Sequence, residues 1–544
     1  MRRSAFAALL GTALLVGFAT LGVGCRPRET AVERGTREQV LHRGFSPDIA
    51  DLDPHVAMMV SDYGVISAFF EGLVAEDPRD LHPVPGVAER WAVSADGLTY
   101  TFHLRANARW SNGDPLTAAD FLASWRRALT PSFGCDNANL MYVVRGAADF
   151  HQGRATRFAD VGFAAPDART VEITLERPTP YFLSLLQHWV WWPVHFPTLE
   201  KAGDPYARGT RWTRPETFVG NGPFRLREWT IGQRIVGERS ETYWDAANVR
   251  LRELRLYPME DINAEERAFR GGQLHVTEAV PAAKIDSYRA SPAGELRMDP
   301  ALGTYFYRLN VAHPSLASPE IRRALAQAVD REAIVTRILR GTQVASAAFT
   351  PGGLADYEPP RGLEYDPEAA RAALAAAGYP GGKGAPELEL LFNSSENHRA
   401  IAEALQEMWR RELGLSVRLV SMEGKTVLDA RRTGQFQLLR SSWVGDYADP
   451  MTFLAVWRAA SGNNYTGWQS PAYEALLDRA ERTTHPDERA TWLREAEALL
   501  LNEAPLIPLY RYTHVYLLHP AVRGWYSNPM GRHPYKHVWL EPTR

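Results

Sequence analysis

The chain has 544 residues, of which 45% are hydrophobic and 23% are charged, a balance typical of a globular protein with a large core. Its formal net charge of −3 gives no global basic field, which argues against nucleic acid as the partner. The 16 Trp, 21 Tyr and 21 Phe are many, and such residues either line a ligand cleft or fill a core.

The N-terminus has the anatomy of an export signal over residues 1–25: two arginines, an apolar run over 5–21, and small residues before Cys25. The segment LGVGC resembles a bacterial lipoprotein box, although Gly22 stands where an aliphatic residue is usual. We therefore expect Cys25 to be lipidated, with ordinary secretion or an uncleaved membrane helix as alternatives. Residues 26–37 are predicted to be a solvated tether.

The first clear elements lie near residue 100. LTYTFHLR (98–105) alternates apolar and polar residues as a half-buried strand does, and WSNGDP (110–115) contains an Asn-Gly turn. A helix is predicted after Thr117, which is a suitable cap.

Strand and helix patterns alternate between residues 366 and 450. They are a helix from Asp366-Pro367 to Gly378, a strand ELELLF (387–392), a helix with Ile401, Leu405, Met408 and Trp409 on one face, a strand LSVRLV (415–420), a helix around 427–432 and a strand FQLLRSSWV (436–444). This order predicts an α/β lobe, in which ligands tend to bind beyond strand ends. Asp446 lies just past the last of these strands.

The sequence offers little catalytic apparatus. It has no GxSxG, HExxH or Walker-type motif, and its two cysteines, Cys25 and Cys135, are too few and too far apart for a disulfide framework or a paired-cysteine metal site. His188 and His195 are interpreted as packing or capping residues. We expect no catalytic residues, no metal and no cofactor.

Nine segments carry a family resemblance, in one order along nearly the whole mature chain. They are LDPH (52–55), AFFEGLVAEDP (68–78), PGVAERW (85–91), TFHLRANARWSNGDPLTAADF (101–121), GNGPFRLREW (220–229), YRLN (307–310), IRRALAQAVDREAIV (321–335), TGQFQLL (433–439) and APLIPLY (504–510). Together they resemble the extracellular substrate-binding proteins of peptide ABC importers, and most closely the oligopeptide-binding members from enteric bacteria.

The resemblance implies an α/β, two-lobed periplasmic-binding-protein-like fold of type II with an extra domain, its mixed sheets flanked by helices. A first lobe would combine residues 38–74, 201–302 and 514–544, the extra domain would fill 75–200, and the opposing lobe would run over 303–513. Such a protein closes on a short peptide and hands it to a membrane permease. We expect a monomer in the periplasm or cell envelope, anchored through Cys25.

The resemblance makes Asp446 the partner of the peptide's α-ammonium group. Every free peptide carries this charge, so one fixed carboxylate can recognise peptides whatever their side chains. An unpaired buried carboxylate is costly, which would favour an open protein until a ligand arrives. Pairing within the fold is the alternative, and Asp449 is interpreted as a turn or cap residue.

The same resemblance assigns further residues to the peptide-binding cleft. Arg431, Arg440 and His398 match a basic set that meets the peptide's C-terminal carboxylate, and Asn393 joins them, although Arg431 could equally lie on a solvated helix face. Trp443 and Tyr447 would wall the cleft or belong to the core. Backbone groups from Met58 to Val60, and from Ser442 through Val444, would pair with the peptide main chain in strand fashion.

The chain also departs from the enteric members. Ala326 replaces a lysine that helps to meet the C-terminus, Gly424 replaces a pocket tryptophan, and Gly303 and Val444 replace a disulfide. These differences leave peptide length and side-chain preference open. A murein-derived peptide, a signalling peptide or another small solute remains possible on the same fold, and an envelope peptidase or amidase would need a nucleophile or metal beside Asp446.

Overall fold

The structure is a computed structural model that describes residues 29–354, 357–483 and 485–542. The predicted export signal, the predicted lipidation site Cys25 and the first residues of the predicted tether lie outside the described residues. Within those ranges, none of the helices is both long and apolar enough to cross a membrane.

The described strands and helices follow one another in short succession. The strands are β1 (Val40–Phe45), β2 (Val74–Glu76), β3 (Pro83–Pro85), β4 (Ala88–Val93), β5 (Thr99–Leu104), β6 (Phe163–Asp167), β7 (Thr170–Thr174), β8 (Phe224–Thr230), β9 (Arg234–Arg239), β10 (Glu253–Pro258), β11 (Leu296–Leu309), β12 (Val344–Ala345), β13 (Leu388–Asn393), β14 (Val417–Met422), β15 (Leu438–Val444), β16 (Leu506–Leu517), β17 (Val522–Arg523) and β18 (Trp539–Leu540). The α-helices are α1 (Ala31–Glu38), α2 (Val60–Ile66), α3 (Ala118–Leu129), α4 (Ala147–His151), α5 (Phe182–Leu185), α6 (Phe196–Ala202), α7 (Ile262–Arg270), α8 (Ile285–Arg289), α9 (Pro319–Gln327), α10 (Arg331–Ala333), α11 (Pro367–Ala376), α12 (Glu396–Leu413), α13 (Gly424–Thr433), α14 (Met451–Leu454), α15 (Pro471–Arg482) and α16 (Pro486–Glu503).

The first lobe is built around a four-stranded sheet in the order β1-β10-β9-β8, in which only the β1 and β10 pair is parallel. Its core joins distant segments, since Phe45, Trp212 and Leu254 pack in one cluster with Val538 and Leu540 near the end of the chain. The C-terminal residues are therefore part of this lobe.

The extra domain has its own antiparallel sheet, in the order β4-β5-β7-β6, and its own core. Tyr100, Phe102 and Leu104 are buried on β5, which confirms the predicted alternating strand. The predicted helix is α3, whose N-cap residue Thr117 donates its backbone N–H to Asp120 at 2.7 Å. His188 caps the turn at Val190 through Nδ1, as interpreted from the sequence.

The opposing lobe contains a mixed six-stranded sheet in the order β12-β16-β11-β15-β13-β14. β13 is parallel to β14 and to β15, with α12 and α13 as the crossovers, so the predicted alternation of strand and helix is confirmed. The long strands β11 and β16 continue from this sheet towards the first lobe, where Leu517 packs with Leu274. Both strands pass the predicted lobe boundaries at 302 and 513.

The tether prediction for residues 26–37 is wrong over its described part. Residues 31–38 form α1, which Thr30 and Glu33 cap reciprocally and whose Val32 is 3% exposed. The N–H of Val32 also donates to the carbonyl of Gly272. The Thr-x-x-Glu pattern of a capping box predicts the start of a helix. The tether prediction followed the many charged residues of this segment and overlooked that pattern.

The LDPH motif is a structural joint between the first lobe and the extra domain. Asp53 and Arg127 are 2% and 0% exposed, and both guanidinium Nη atoms donate to the Asp53 carboxylate, at 3.1 and 2.6 Å. Burial, followed by Arg127, lowers the pKa of His55 to about 4, so its neutral Nδ1 accepts from Arg127 at 2.9 Å. This motif therefore joins α3 to the first lobe.

We expect Asp53→Ala to lower the free energy of unfolding by about 3–5 kcal/mol, because it leaves the Arg127 charge buried without a partner. Urea unfolding measures the change. Glu407→Ala, which removes an exposed ion pair with Arg410, is the control and should have no measurable effect. Unchanged stability of Asp53→Ala would contradict the structural role of the motif.

Candidate functional site

One edge of β15 is open near its C-terminal end. β11 pairs with β15 from Leu438 to Val444, whereas β13 pairs with it only at Leu438 and Leu439. The N–H of Gly445 donates to the carbonyl of Leu302, and alternate residues of an antiparallel strand bond to the same neighbour. Ser442 and Val444 consequently direct their backbone N–H and C=O groups to the open edge.

Asp446 lies two residues beyond the end of β15, beside this edge. Its backbone N–H donates to Thr452 Oγ1 at 3.1 Å, which fixes the turn. No basic side chain of the described residues forms an ion pair with its carboxylate. Among the described residues, the charge that acts on it is that of Arg532, which is 2% exposed and already paired with Glu76.

Burial raises the pKa of Asp446 to about 6, and Arg532 opposes this shift. The side chain is exposed to water, but neighbouring protein atoms replace part of its hydration and disfavour the charged form. Such a carboxylate is suited to receive a cation from outside the fold.

Asp449 behaves differently, although it is only three residues away. It is 3% exposed, and both of its oxygens accept from Arg489, at 2.7 and 2.8 Å. It also accepts from the N–H of Met451 at 2.9 Å. The interpretation of Asp449 as a turn residue is therefore confirmed, with an internal ion pair that the sequence did not indicate.

Arg440, Asn393 and His398 come together on one face of the sheet. The guanidinium of Arg440 lies 4.7 Å from the ring centre of Tyr305 and donates to Asn393 Oδ1 at 3.4 Å and Tyr512 Oη at 3.3 Å. His398 Nδ1 lies 3.3 Å from Tyr305 Oη. Burial, followed by Arg440, lowers the pKa of His398 to about 4, so at neutral pH Arg440 is the cation of this group.

Arg431 lies on the opposite face of the sheet. Its helix α13 packs Val427 against Leu391 and Leu439, whose side chains point away from the Arg440 face. Its guanidinium lies 4.8 Å from the ring centre of Tyr465. The structure thus separates Arg431 from the basic residues with which it was grouped.

The two aromatic residues flanking Asp446 mostly pack within the protein. Trp443 is half-buried and donates through Nε1 to the carbonyl of Thr452 at 2.7 Å. Tyr447 is 8% exposed and stacks on Tyr181 of the extra domain, with ring centres 5.1 Å apart. Tyr181 and Arg532 were missed from the sequence because they come from distant segments, and no local pattern marks them.

The segment around Met58 and Val60 is the start of a helix and not an open strand. α2 begins at Val60, and the N–H groups of Met58 and Met59 both donate to Asp62 Oδ2 at 3.0 Å. The predicted strand-like pairing through this segment is therefore not available in this conformation. The Met58 and Met59 side chains are 60% and 49% exposed and can offer apolar contact instead.

The positions that depart from the enteric members have different surroundings. Gly303 and Val444 are directly opposite each other in the β11 and β15 pair, beside a cavity of about 250 Å³. Gly424 begins α13 facing open space among the described residues, whereas Ala326 is buried in α9. A larger side chain at Gly424 would therefore meet no described atom within 4 Å of its Cβ.

In the described part of the chain, one group of side chains has metal-ligand spacing. It is made of Asp77, Asp80 and His82, of which Asp80 and His82 are exposed. It includes none of the predicted site residues, and exposed acidic groups of this kind are common without a metal.

Comparison with known proteins identifies a family and several relatives. The model for bacterial extracellular solute-binding proteins, family 5 (middle region), matches residues 82–465. The dipeptide-binding protein DppE of Bacillus subtilis is 34% identical, with 96% of this chain and 97% of DppE covered. The murein peptide-binding protein MppA of Escherichia coli is 33% identical over 95% of each chain.

Two solved structures extend the comparison. The unliganded open form of MppA has a TM-score of 0.81 and 32% identity, with 94% of this chain and 99% of MppA covered. Haemophilus influenzae OppA in complex with the peptide RPPGFSPFR has a TM-score of 0.74 and 29% identity, with 92% and 99% covered. These likenesses agree with the predicted two-lobed fold with an extra domain.

We expect Asp446→Asn to raise the free energy of unfolding at pH 8, by no more than about 1 kcal/mol because water screens the charge. The folded pKa of about 6 exceeds the ordinary value of 3.8, so the native state bears an unfavourable charge above pH 6 and loses it as pH falls towards 4. The gain should therefore vanish near pH 4. Urea unfolding at both pH values measures it.

Asp449→Asn is the matched control, and it should lose stability at pH 8 because it breaks the pair with Arg489. A similar loss for Asp446→Asn would mean that Asp446 has an internal partner.

Proposed function

Because this chain belongs to the bacterial extracellular solute-binding proteins of family 5, we propose that it is the solute-binding component of a peptide ABC importer. In this role it captures short peptides in the cleft beside β15 and delivers them to a membrane permease. The family and the named relatives are binding proteins, and the site has no assembled nucleophile and base among the described residues. The proposal therefore assigns no catalytic activity.

The observation that carries the proposal is the unpaired Asp446 carboxylate next to the open edge of β15. A peptide's α-ammonium would pair with Asp446, and its main chain would bond to Ser442 and Val444. Each such main-chain bond contributes about 0.5–1.5 kcal/mol and does not depend on the side chains of the peptide. This combination favours a peptide over a sugar or a metal complex.

The long strands β11 and β16 would act as the hinge about which the two lobes close. They connect the opposing lobe to the first lobe, so bending at these strands would bring Tyr63 and Arg532 of the first lobe over a peptide held at Asp446. The influence of Arg532 on the Asp446 pKa supports this opposing wall. The closed form would then dock on the permease.

The C-terminal end of the peptide is assigned to Arg440, with Asn393 and His398 beside it. Arg440 lies six residues before Asp446, which is ~20 Å at the rise of an extended strand. An extended peptide of about five or six residues spans this distance, and fewer suffice if the Arg440 side chain reaches inwards. A murein-derived peptide is the second candidate, because the murein peptide-binding protein MppA is among the relatives of this chain.

We expect a pentapeptide with a free N-terminus to bind at least tenfold more tightly than its N-acetylated form, because acetylation removes the charge that Asp446 recognises. Asp446→Asn should abolish the difference while binding the acetylated form as the parent does. Affinity for the free peptide should fall between pH 7 and pH 5 as Asp446 becomes protonated. Isothermal titration calorimetry measures all three, and equal affinity for both peptides in the parent protein would refute the assignment.

We also propose that Cys25 anchors the mature protein to a membrane, although this residue lies outside the described part of the chain. The sequence LGVGC before Arg26 supports it. Cys25→Ser should abolish incorporation of labelled palmitate in the producing bacterium and release the protein from the membrane fraction. Labelling that persists in Cys25→Ser would contradict lipidation at this residue.

A further inference from the structure

A cavity of about 470 Å³ lies between the extra domain and the opposing lobe. Tyr100 and Leu183 line it from the extra domain, and Ala490 and Leu493 line it from helix α16. Its size falls within the range of about 300–1,000 Å³ that small-molecule sites occupy. It is separate from the proposed peptide cleft, since its described lining includes neither Asp446 nor any residue of β15.

Aromatic and proline rings form much of the described wall of this cavity. Tyr181 and Pro180 contribute from the extra domain, and Tyr357 and Pro486 contribute from the opposing lobe. Tyr357 is 1% exposed and donates its hydroxyl to Glu497 at 2.7 Å, so its ring is held in place before any ligand arrives. Preformed rings of this kind favour contact with the faces and edges of an aromatic ligand.

The charges at the cavity are already neutralised. Asp449 and Arg489 are the oppositely charged side chains among its described lining residues, and they pair with each other at 2.7 and 2.8 Å. A charged ligand would lose its hydration here without gaining a free partner of opposite charge. The cavity is therefore suited to an uncharged ligand.

The cavity adjoins the turn that carries Asp446. Ala448 and Pro450 line it, and Tyr447, which precedes Ala448, stacks on the Tyr181 ring. A ligand in the cavity would consequently contact both the turn and the part of the extra domain against which that turn packs.

The position of the cavity also relates it to closure. The extra domain is fixed to the first lobe through the buried pair of Asp53 and Arg127, and it meets the opposing lobe through the pair of Arg177 and Glu481 at 3.6 Å. Movement of the opposing lobe towards the first lobe would therefore change the separation of the cavity walls.

We propose that this cavity binds an uncharged aromatic compound of two or three rings, and that its occupancy opposes closure on a peptide. The compound packs between rings of the extra domain and of the opposing lobe and holds them at the separation seen here, with the edge of β15 uncovered. A ligand stabilises the conformation that it fits, so this one lowers the affinity for peptides. The site itself needs no peptide, whereas its coupling to Asp446 rests on the proposed function.

The test uses N-phenyl-1-naphthylamine, an uncharged compound whose fluorescence rises when it leaves water. Titrations are run at pH 8, because His485 also lines the cavity and free imidazole is neutral there. We expect saturable binding of one compound per protein. 1-Anilinonaphthalene-8-sulfonate carries the same rings with a negative charge and should bind about tenfold more weakly or worse. Absence of saturable binding of the uncharged compound, or equal affinity for the sulfonate, would overturn the proposal.

Two variants locate the compound from opposite walls. Ala490→Trp and Ser184→Trp each fill the cavity with an indole at a half-buried position, and each should weaken binding of the uncharged compound about tenfold or more. Glu495→Trp, at an exposed position of the same helix as Ala490, is the matched control and should bind it as the parent does. Urea unfolding checks that all three are folded. Full binding by both cavity-filling variants would place the compound elsewhere.

Calorimetric titration with a pentapeptide, with and without the uncharged compound, measures the coupling. Peptide affinity should fall about threefold or more in the parent and in Glu495→Trp, and it should not respond to the compound in Ala490→Trp. The effect should level off as the compound saturates its site. An effect that keeps growing would place the compound in the peptide cleft, and an unchanged peptide affinity in the parent would refute the coupling.

Failure of the proposed function gives a distinct result. A protein that binds the compound in this cavity, as the two tryptophan variants report, but binds no peptide would refute the proposed function together with the coupling and would still support the site.

Discussion

An unpaired carboxylate at the end of β15 is the constraint around which the opposing lobe is arranged. Asp446 has no internal cation among the described residues, so its charge is disfavoured and its turn must be held by other interactions. Thr452 accepts its backbone N–H, and the pair between Asp449 and Arg489 fixes the residues that follow. Tyr447 stacks on Tyr181, which ties the same turn to the extra domain. These three neighbouring contacts offset the stability lost at Asp446.

The open edge of β15 depends on the divergence of β13. The two strands are parallel neighbours at Leu438 and Leu439 and separate afterwards, while β11 continues to hold β15 on its other side. An exposed strand edge is normally a hazard, because it invites pairing with any other chain. In the proposed function, the Asp446 carboxylate beside this edge would restrict pairing to short segments with a free N-terminus.

Sequence periodicity predicted the alternating elements from Asp366 onwards because each carries its own local signal, such as the cap at Asp366 or the buried face of α12. The position of Asp446 just past a strand followed from the same pattern. Periodicity alone did not separate Asp446 from Asp449; the family resemblance did, and the structure adds that Arg489, from α16, pairs with Asp449. Tyr181 and Arg532 were unpredictable from local sequence, as tertiary contact alone brings them near Asp446. The helix α1 was locally predictable from its capping box, which the surrounding charges obscured.

Most buried charges in this protein are neutralised inside the fold. Asp53 pairs with Arg127, Glu76 with Arg532, and Asp449 with Arg489. The carboxylate of Asp446 is exposed at one end of the open edge and forms no ion pair with a basic side chain of the described residues, and Arg440, towards the other end, forms none with a described carboxylate. A ligand that satisfies both ends must carry a cation and an anion separated by an extended backbone. A short peptide with free N- and C-termini has this charge pattern, and a neutral sugar or a single ion does not.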